Sequence, residues 1–191
     1  MSVSIIGNIG VGKSTLLKEL KSKGYKVVFE PIDRWTFLPK FYQDMKRWSF
    51  TLQVEVLHSF QNLDVKNAIV ERSPWEATNI FARNLYENGA MTNDEYNLIK
   101  NMTSVNKMPE LFVYLKSTPS MCMDRIKMRN RTCETSISEE YISKLHTLYE
   151  ISIEKLQKNH NIVVIDSKQS KEDLCAQVIE KINMYNNAIN N

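Results

Sequence analysis

The sequence predicts an α/β domain, a five-stranded parallel sheet flanked on both faces by helices, and three observations carry that expectation. Five short apolar runs are continuous rather than alternating, as strands covered on both faces require. Longer segments of helical periodicity separate them, which is the strand–helix alternation of a parallel sheet. With 191 residues, 42% of them hydrophobic, the chain suits one domain that buries its core without metals or disulfides.

The first strand, 3–6, begins almost at once, so no signal or transit peptide is expected. A helix over 13–22 leads to a second strand at 26–29, which runs into Glu30 and the turn-forming Pro31. In 46–65, Trp48, Leu52, Val56 and Phe60 recur every four residues and make the apolar stripe of a helix. A third strand at 68–70 runs into Glu71-Arg72-Ser73, and helices over 75–87 and 93–105 precede the fourth strand at 111–115. Pro119 fits the first turn of a helix over 119–129. Ser138, followed by Glu139 and Glu140, opens another over 138–157. The fifth strand is expected at 162–165 and the last helix over 171–185, with the polar, Asn-rich residues 183–191 fraying.

Composition removes several classes of function. Twenty-five basic against 22 acidic residues leave +3, too mild for a surface that coats nucleic acid. A membrane span needs roughly 18 apolar residues in a row, and no run approaches that. Cys122, Cys133 and Cys175 are odd in number and far apart, which disfavours a disulfide framework and structural zinc and points to a reducing, cytoplasmic compartment. His58, His146 and His160 have no partners at ligand or triad spacing, and the nine methionines read as core filler.

Three of only five glycines fall in Gly7-Asn8-Ile9-Gly10-Val11-Gly12-Lys13-Ser14, a full G-x-x-x-x-G-K-[ST] match. Such a loop curls its backbone N–H groups around phosphate oxygens. Lys13 reaches the β/γ-phosphates, Ser14 offers an oxygen to Mg²⁺, and the following helix points its positive end inward. A strand before and a helix after supply the required context, which makes this a P-loop NTPase fold binding a nucleoside triphosphate. A GTPase would need D-x-x-G and N-K-x-D, and the chain has neither; an ABC-type ATPase would need a second glycine signature. A small-molecule kinase remains.

In this fold the active site lies beyond the carboxyl ends of the strands. Glu30 at the second strand end is placed to accept a proton from an attacking hydroxyl, although a solvated glutamate before a turn would read the same. Glu71 at the third occupies a position suited to a Mg²⁺ partner, with Arg72 beside it, although taken alone such a pair is a buried-edge ion pair as often as a site. A nucleoside monophosphate brings its own anionic oxygen, whereas a nucleoside hydroxyl benefits from a carboxylate. Glu30 therefore favours a nucleoside kinase over a thymidylate-type kinase. Further on, Arg125, Lys127, Arg129 and Arg131 crowd four cations into seven residues, either a solvated helix face or a set of phosphate ligands.

G-N-I-G-V-G-K-S-T, then E-P-x-x-x-W, then E-R-S, then R-x-x-x-R-x-R, in this order over nearly the whole chain, closely resembles the deoxynucleoside kinase family. The family includes deoxycytidine and deoxyguanosine kinases, mitochondrial thymidine kinase and the insect multisubstrate enzyme. The resemblance implies an ATP- and Mg²⁺-dependent enzyme with a nucleotide loop from Gly7 to Thr15. Glu30 would be the general base toward the sugar 5′-hydroxyl, Arg72 would position it, and Ser14 and Glu71 would lie near Mg²⁺. It implies a lid over about 125–136 whose Arg125, Arg129 and Arg131 close on ATP, where they stabilise charge that grows in the transition state.

It also implies a base pocket. Gln53 matches the amide that pairs with the base edge, and by turning over it can meet thymine or cytosine. Phe81 matches the aromatic that stacks on the base; Tyr42 and Glu134 match the pair at the 3′-hydroxyl. Trp35 and Leu52 match pocket-wall positions, and Val56 shares the Leu52 stripe. Relatives that take deoxycytidine or purines carry a paired Arg and Asp where this chain has Phe60 and Ala77. Two apolar residues there resemble the thymidine-accepting branch. The expected enzyme is thus a pyrimidine-preferring deoxynucleoside kinase, assembled as a homodimer like its relatives. A purine-preferring deoxyadenosine or deoxyguanosine kinase, a thymidylate-type nucleoside monophosphate kinase and a nucleotide-binding regulator without turnover are the alternatives.

Overall fold

The computed structural model describes residues 1–61, 63–131, 134 and 137–190; Thr132, Cys133, Thr135 and Ser136, in the segment expected as a lid, lie outside them. Its centre is a parallel sheet in the order β2-β3-β1-β4-β5, formed by β1 (Val3–Ile6), β2 (Val27–Val28), β3 (Ile69–Glu71), β4 (Leu111–Lys116) and β5 (Ile162–Asp166). Val3 of β1 sits opposite Ile69 on one side and Leu111 on the other, while Phe112 faces Ile162. β1, β3 and all of β4 but its last residue are buried, as continuous apolar runs require, whereas the edge strands β2 and β5 are only partly covered.

Helices follow where their start signals stand. α1 (Lys13–Ser22) springs from the glycine loop. Thr92 and Glu95 close a reciprocal capping box on α6 (Asn93–Ser104), the Thr118 hydroxyl caps α7 (Pro119–Arg129), and the Ser138 hydroxyl caps α8 (Glu139–Leu156). The α8 stripe of Ile142, Leu145, Tyr149, Ile153 and Leu156 is spent on the chain's own sheet core. A second apolar cluster lies to one side, where α2 (Leu38–Gln43) and α3 (Met45–Gln61) gather Phe41, Leu52, Val56 and Phe60 around Ala77.

Three features depart from the sequence reading. A 3₁₀ turn at Ile32–Arg34 and the six-residue α2 are too short to show a period. The segment 74–87 is not one regular helix: α4 (Pro74–Glu76) and α5 (Arg83–Glu87) flank a π-helical stretch at Ala77–Ala82. The last helix does not stop near residue 185, because α9 runs Lys171–Asn190. Ile182 is buried, and the Tyr185 hydroxyl donates to the Glu110 carbonyl (3.0 Å) and accepts from Asn161 Nδ2 (2.9 Å), which pins these turns to the domain. No helix of the described residues is long and apolar enough to cross a membrane.

Candidate active site

The loop between β1 and α1 is packed too tightly for side chains at two of its glycines. A Cβ on Gly7 (φ +144°) would lie 2.6 Å from the Leu115 carbonyl oxygen, and one on Gly10 (φ +80°) 2.4 Å from that of Cys122. Asn8 braces the loop: its Oδ1 accepts from the Ile9 N–H (2.8 Å) and its Nδ2 donates to the Ile142 carbonyl of α8 (2.9 Å). Lys13 folds back and donates from Nζ to the Gly7 and Asn8 carbonyls (2.7 and 2.9 Å). Burial, reinforced by Arg72, draws its ammonium down to a pKa of about 8.

The ends of β2 and β3 supply the charged wall. Ser14 Oγ donates to Glu71 Oε1 at 2.6 Å, and the second Glu71 oxygen faces the Glu30 N–H at 3.5 Å. Arg72 stands in the left-handed region (φ +67°), a conformation rare for a side-chain-bearing residue. Backbone bonds to β1 hold it there: its N–H donates to the Ile5 carbonyl (3.0 Å) and its carbonyl accepts from Ser4 Oγ (2.9 Å). From this perch Arg72 Nε meets Glu30 Oε1 at 2.8 Å, and the guanidinium lies 4.5 Å from the centre of the Phe81 ring. The Glu30 side chain is only 5% exposed. Its burial raises the carboxyl to a pKa of about 7; Arg72 opposes the rise and Glu71 adds to it. Such a carboxylate accepts a proton near neutral pH more readily than an exposed one.

These groups share one cavity of about 620 Å³ with the apolar side of the domain. The residues expected to bind nucleotide, metal or nucleoside all line it except Gly7 and Asn8, and Lys127 of the basic run does not line it. Trp35, Tyr42, Leu52, Val56, Phe60, Ala77 and Phe81 form its far end, with Gln53 among them. Gln53 is buried, and its Oε1 has no hydrogen-bond partner among the described residues. Trp35 is fixed by Nε1 donating to Ser59 Oγ at 3.1 Å.

The arginines of the basic run divide into two groups. Arg125 ties the glycine loop to the end of β5, donating to the Val11 carbonyl (2.6 Å), Ser167 Oγ (3.1 Å) and the Ser167 carbonyl (2.9 Å). Arg129 and Arg131 both hold Glu134, at 2.6 and 3.3 Å. Arg125, Arg129 and Arg131 thus line the cavity, whereas Lys127, on the same run, is exposed and does not.

Sequence reading missed Ser167 and two groups behind the charged wall, Glu76 and Tyr149. Glu76 is fully buried; Gly7 N–H (2.9 Å), Arg72 Nη1 (3.1 Å) and the Tyr149 hydroxyl all reach its Oε1. An acid on the inner side of a helix start, four residues after Arg72, was the available signal for Glu76. Nothing marks Tyr149 apart from other core aromatics.

A carboxylate–arginine pair beside a phosphate cradle, on this sheet order, is the equipment of a P-loop kinase. Comparison with known proteins narrows the class: the chain belongs to the deoxynucleoside kinase family, whose sequence profile matches residues 3–187. It is accordingly an ATP-dependent kinase acting on deoxynucleosides. It is 34% identical over 163 residues to the deoxyadenosine/deoxycytidine kinase of Bacillus subtilis, covering 78% of this chain and 74% of that one. It is 31% identical over 191 residues to the thymidine kinase of Ictalurid herpesvirus 1, covering 91% and 82%. Among solved structures it resembles the deoxyadenosine kinase of M. mycoides with bound dCTP (TM-score 0.88, 26% identity, 96% of this chain and 100% of that one).

Proposed function

We propose that the chain transfers the γ-phosphoryl group of Mg²⁺-ATP to the 5′-hydroxyl of a pyrimidine deoxynucleoside, thymidine or deoxycytidine. The observation that supports the base preference is Gln53. A buried amide whose oxygen has no partner among the described residues sits beside Leu52, Val56, Phe60 and Ala77, and Phe60 and Ala77 bring no charge. An amide satisfies a base edge by turning over, and the thymine methyl gains about 1 kcal/mol by burial against such a wall.

In this reading Glu30 accepts the proton of the 5′-hydroxyl while Arg72 orients both. Phe81 stacks on the base, Trp35, Leu52, Val56 and Phe60 wall it in, and Tyr42 with Glu134 holds the sugar. The loop from Gly7 to Thr15 wraps the phosphates, and Lys13 leaves its backbone partners for their oxygens. Ser14 and Glu71 would hold the Mg²⁺, since their donor set is two hard oxygens of the type that cation takes. When bound, the metal neutralises charge on the β- and γ-phosphates. Arg125, Arg129 and Arg131 belong to a lid over about 125–136 in a single domain that assembles as a homodimer.

A second reading, a purine-preferring enzyme, is favoured by deoxyadenosine in the names of the B. subtilis and M. mycoides relatives. Measuring kcat/KM for the four natural deoxynucleosides with Mg²⁺-ATP separates the two. Thymidine or deoxycytidine should lead, and a lead by deoxyadenosine or deoxyguanosine overturns the pyrimidine reading.

A further inference from the structure

Behind the Glu30–Arg72 pair lies a buried group that lines no part of the cavity. The Glu76 carboxylate is 0% exposed, and one of its oxygens takes three donors: the Gly7 N–H at 2.9 Å, Arg72 Nη1 at 3.1 Å and the Tyr149 hydroxyl. The other oxygen is buried with no partner among the described residues. An anion satisfied on one side only is an expensive way to fill a core, because its desolvation is only partly offset. Its partners suggest why it is there.

Arg72 is gripped at two points of its fork, Nε by Glu30 at 2.8 Å and Nη1 by Glu76, with its flat face on Phe81. Tyr149 stands against the same arm, its hydroxyl 3.2 Å from Arg72 Nη1 and 2.9 Å from the Gly7 carbonyl. That hydroxyl has one proton for two acceptors, Glu76 Oε1 and the Gly7 carbonyl, and the charged acceptor has the stronger claim. The Gly7 N–H of the phosphate loop and the Arg72 guanidinium are thus bound to one carboxylate oxygen.

We infer that Glu76, steadied by Tyr149, is a positioning residue that sets the Arg72 guanidinium relative to both Glu30 and the phosphate loop. Glu76 touches neither substrate and acts through Arg72. The inference rests on the proposed role of the Glu30–Arg72 pair. Without Glu76 the guanidinium keeps Glu30 and the Phe81 face, but its Nη1 is left only the longer, neutral contacts to the Tyr149 hydroxyl (3.2 Å) and the Gly7 carbonyl (3.4 Å) and can swing about Nε. Misplacing a group that must align the hydroxyl with the phosphorus slows the chemical step more than it weakens binding.

The test is a double-mutant cycle of Glu76→Gln and Arg72→Lys, with kcat expressed per nucleotide-binding site counted by titration calorimetry. Glu76→Gln should lower kcat about 10- to 100-fold while both KM values stay within about threefold. The glutamine should cost little more once Arg72 is lysine, because a lysine offers no fork to hold. Near-normal kcat in Glu76→Gln, or effects that simply multiply in the double variant, overturns the inference. If Glu76→Gln does not fold, Tyr149→Phe takes its place in the same cycle. A several-fold kcat loss that vanishes in the Arg72→Lys background supports the inference, and an unchanged kcat sinks it. Normal turnover by Arg72→Lys alone would instead refute the role given to Arg72, a separate failure.

Discussion

Glu30 is the residue on which the proposed chemistry turns. Glu30→Gln keeps the shape and a hydrogen bond to Arg72 but cannot take the proton. We expect kcat to fall on the order of 10²-fold or more, with nucleoside affinity largely kept. Isothermal titration with the nucleoside beside steady-state kinetics checks both halves. At the other end of the cavity, Phe60→Arg with Ala77→Asp places an ion pair where the wall is apolar. Thymidine would then face charges it cannot satisfy, so the kcat/KM ratio of deoxycytidine to thymidine should rise, by tenfold or more on the scale of an unpaired buried polar group. At this scale the sequence was legible wherever function is written contiguously. Lys13, Ser14, Glu30, Glu71 and Arg72 each stand in a short motif at a strand end, and all of them line the cavity. Glu76 and Tyr149 were not legible, because their meaning lies in contacts to Gly7 across 69 and 142 residues of chain, and local pattern is blind to such distances.

Among the elements, the glycine loop has the least freedom to change. Its neighbour across Gly10 is the Cys122 carbonyl inside α7, a backbone atom that cannot step aside as a side chain would. Gly10→Ala should therefore shift the loop or loosen α7. We expect a nucleotide affinity at least tenfold weaker, read by fluorescent-nucleotide titration, with little change in circular dichroism. Elements with strong local chemistry were legible to within a residue or two: α1 and α7 start where the glycine loop and Pro119 put them. The π-helical stretch at Ala77–Ala82 was not, since a wider turn leaves no mark on apolar spacing over six residues. It carries Ala77 and Phe81, two of the cavity-lining residues, so the irregular turn coincides with the proposed base site. α2 was hidden for the plainer reason of length.

At the scale of the whole molecule, the homodimer is the expected assembly, and light scattering at micromolar concentration checks it; a monomer would overturn it. The α8 stripe is already buried within the chain's own core, so the contact must use another surface. The sheet order was beyond the sequence reading, because continuous apolar strands do not say which neighbours they choose. That order has a consequence for how the enzyme fails. β2 is one of the two edge strands, only two residues long and paired on one side, through Val27 opposite Ile69 and Val28 opposite Val70. Glu30 hangs from it, whereas the phosphate loop grows from β1 at the middle of the sheet. Edge segments with so few bonds open before the rest of a domain does. Amide hydrogen exchange should thus be faster at Val28 than at Val113 by orders of magnitude, and equal protection would contradict this. Mild denaturant should silence turnover while the sheet still gives its full spectrum and the phosphate loop still holds nucleotide. The molecule would lose its chemistry first and its grip on nucleotide last.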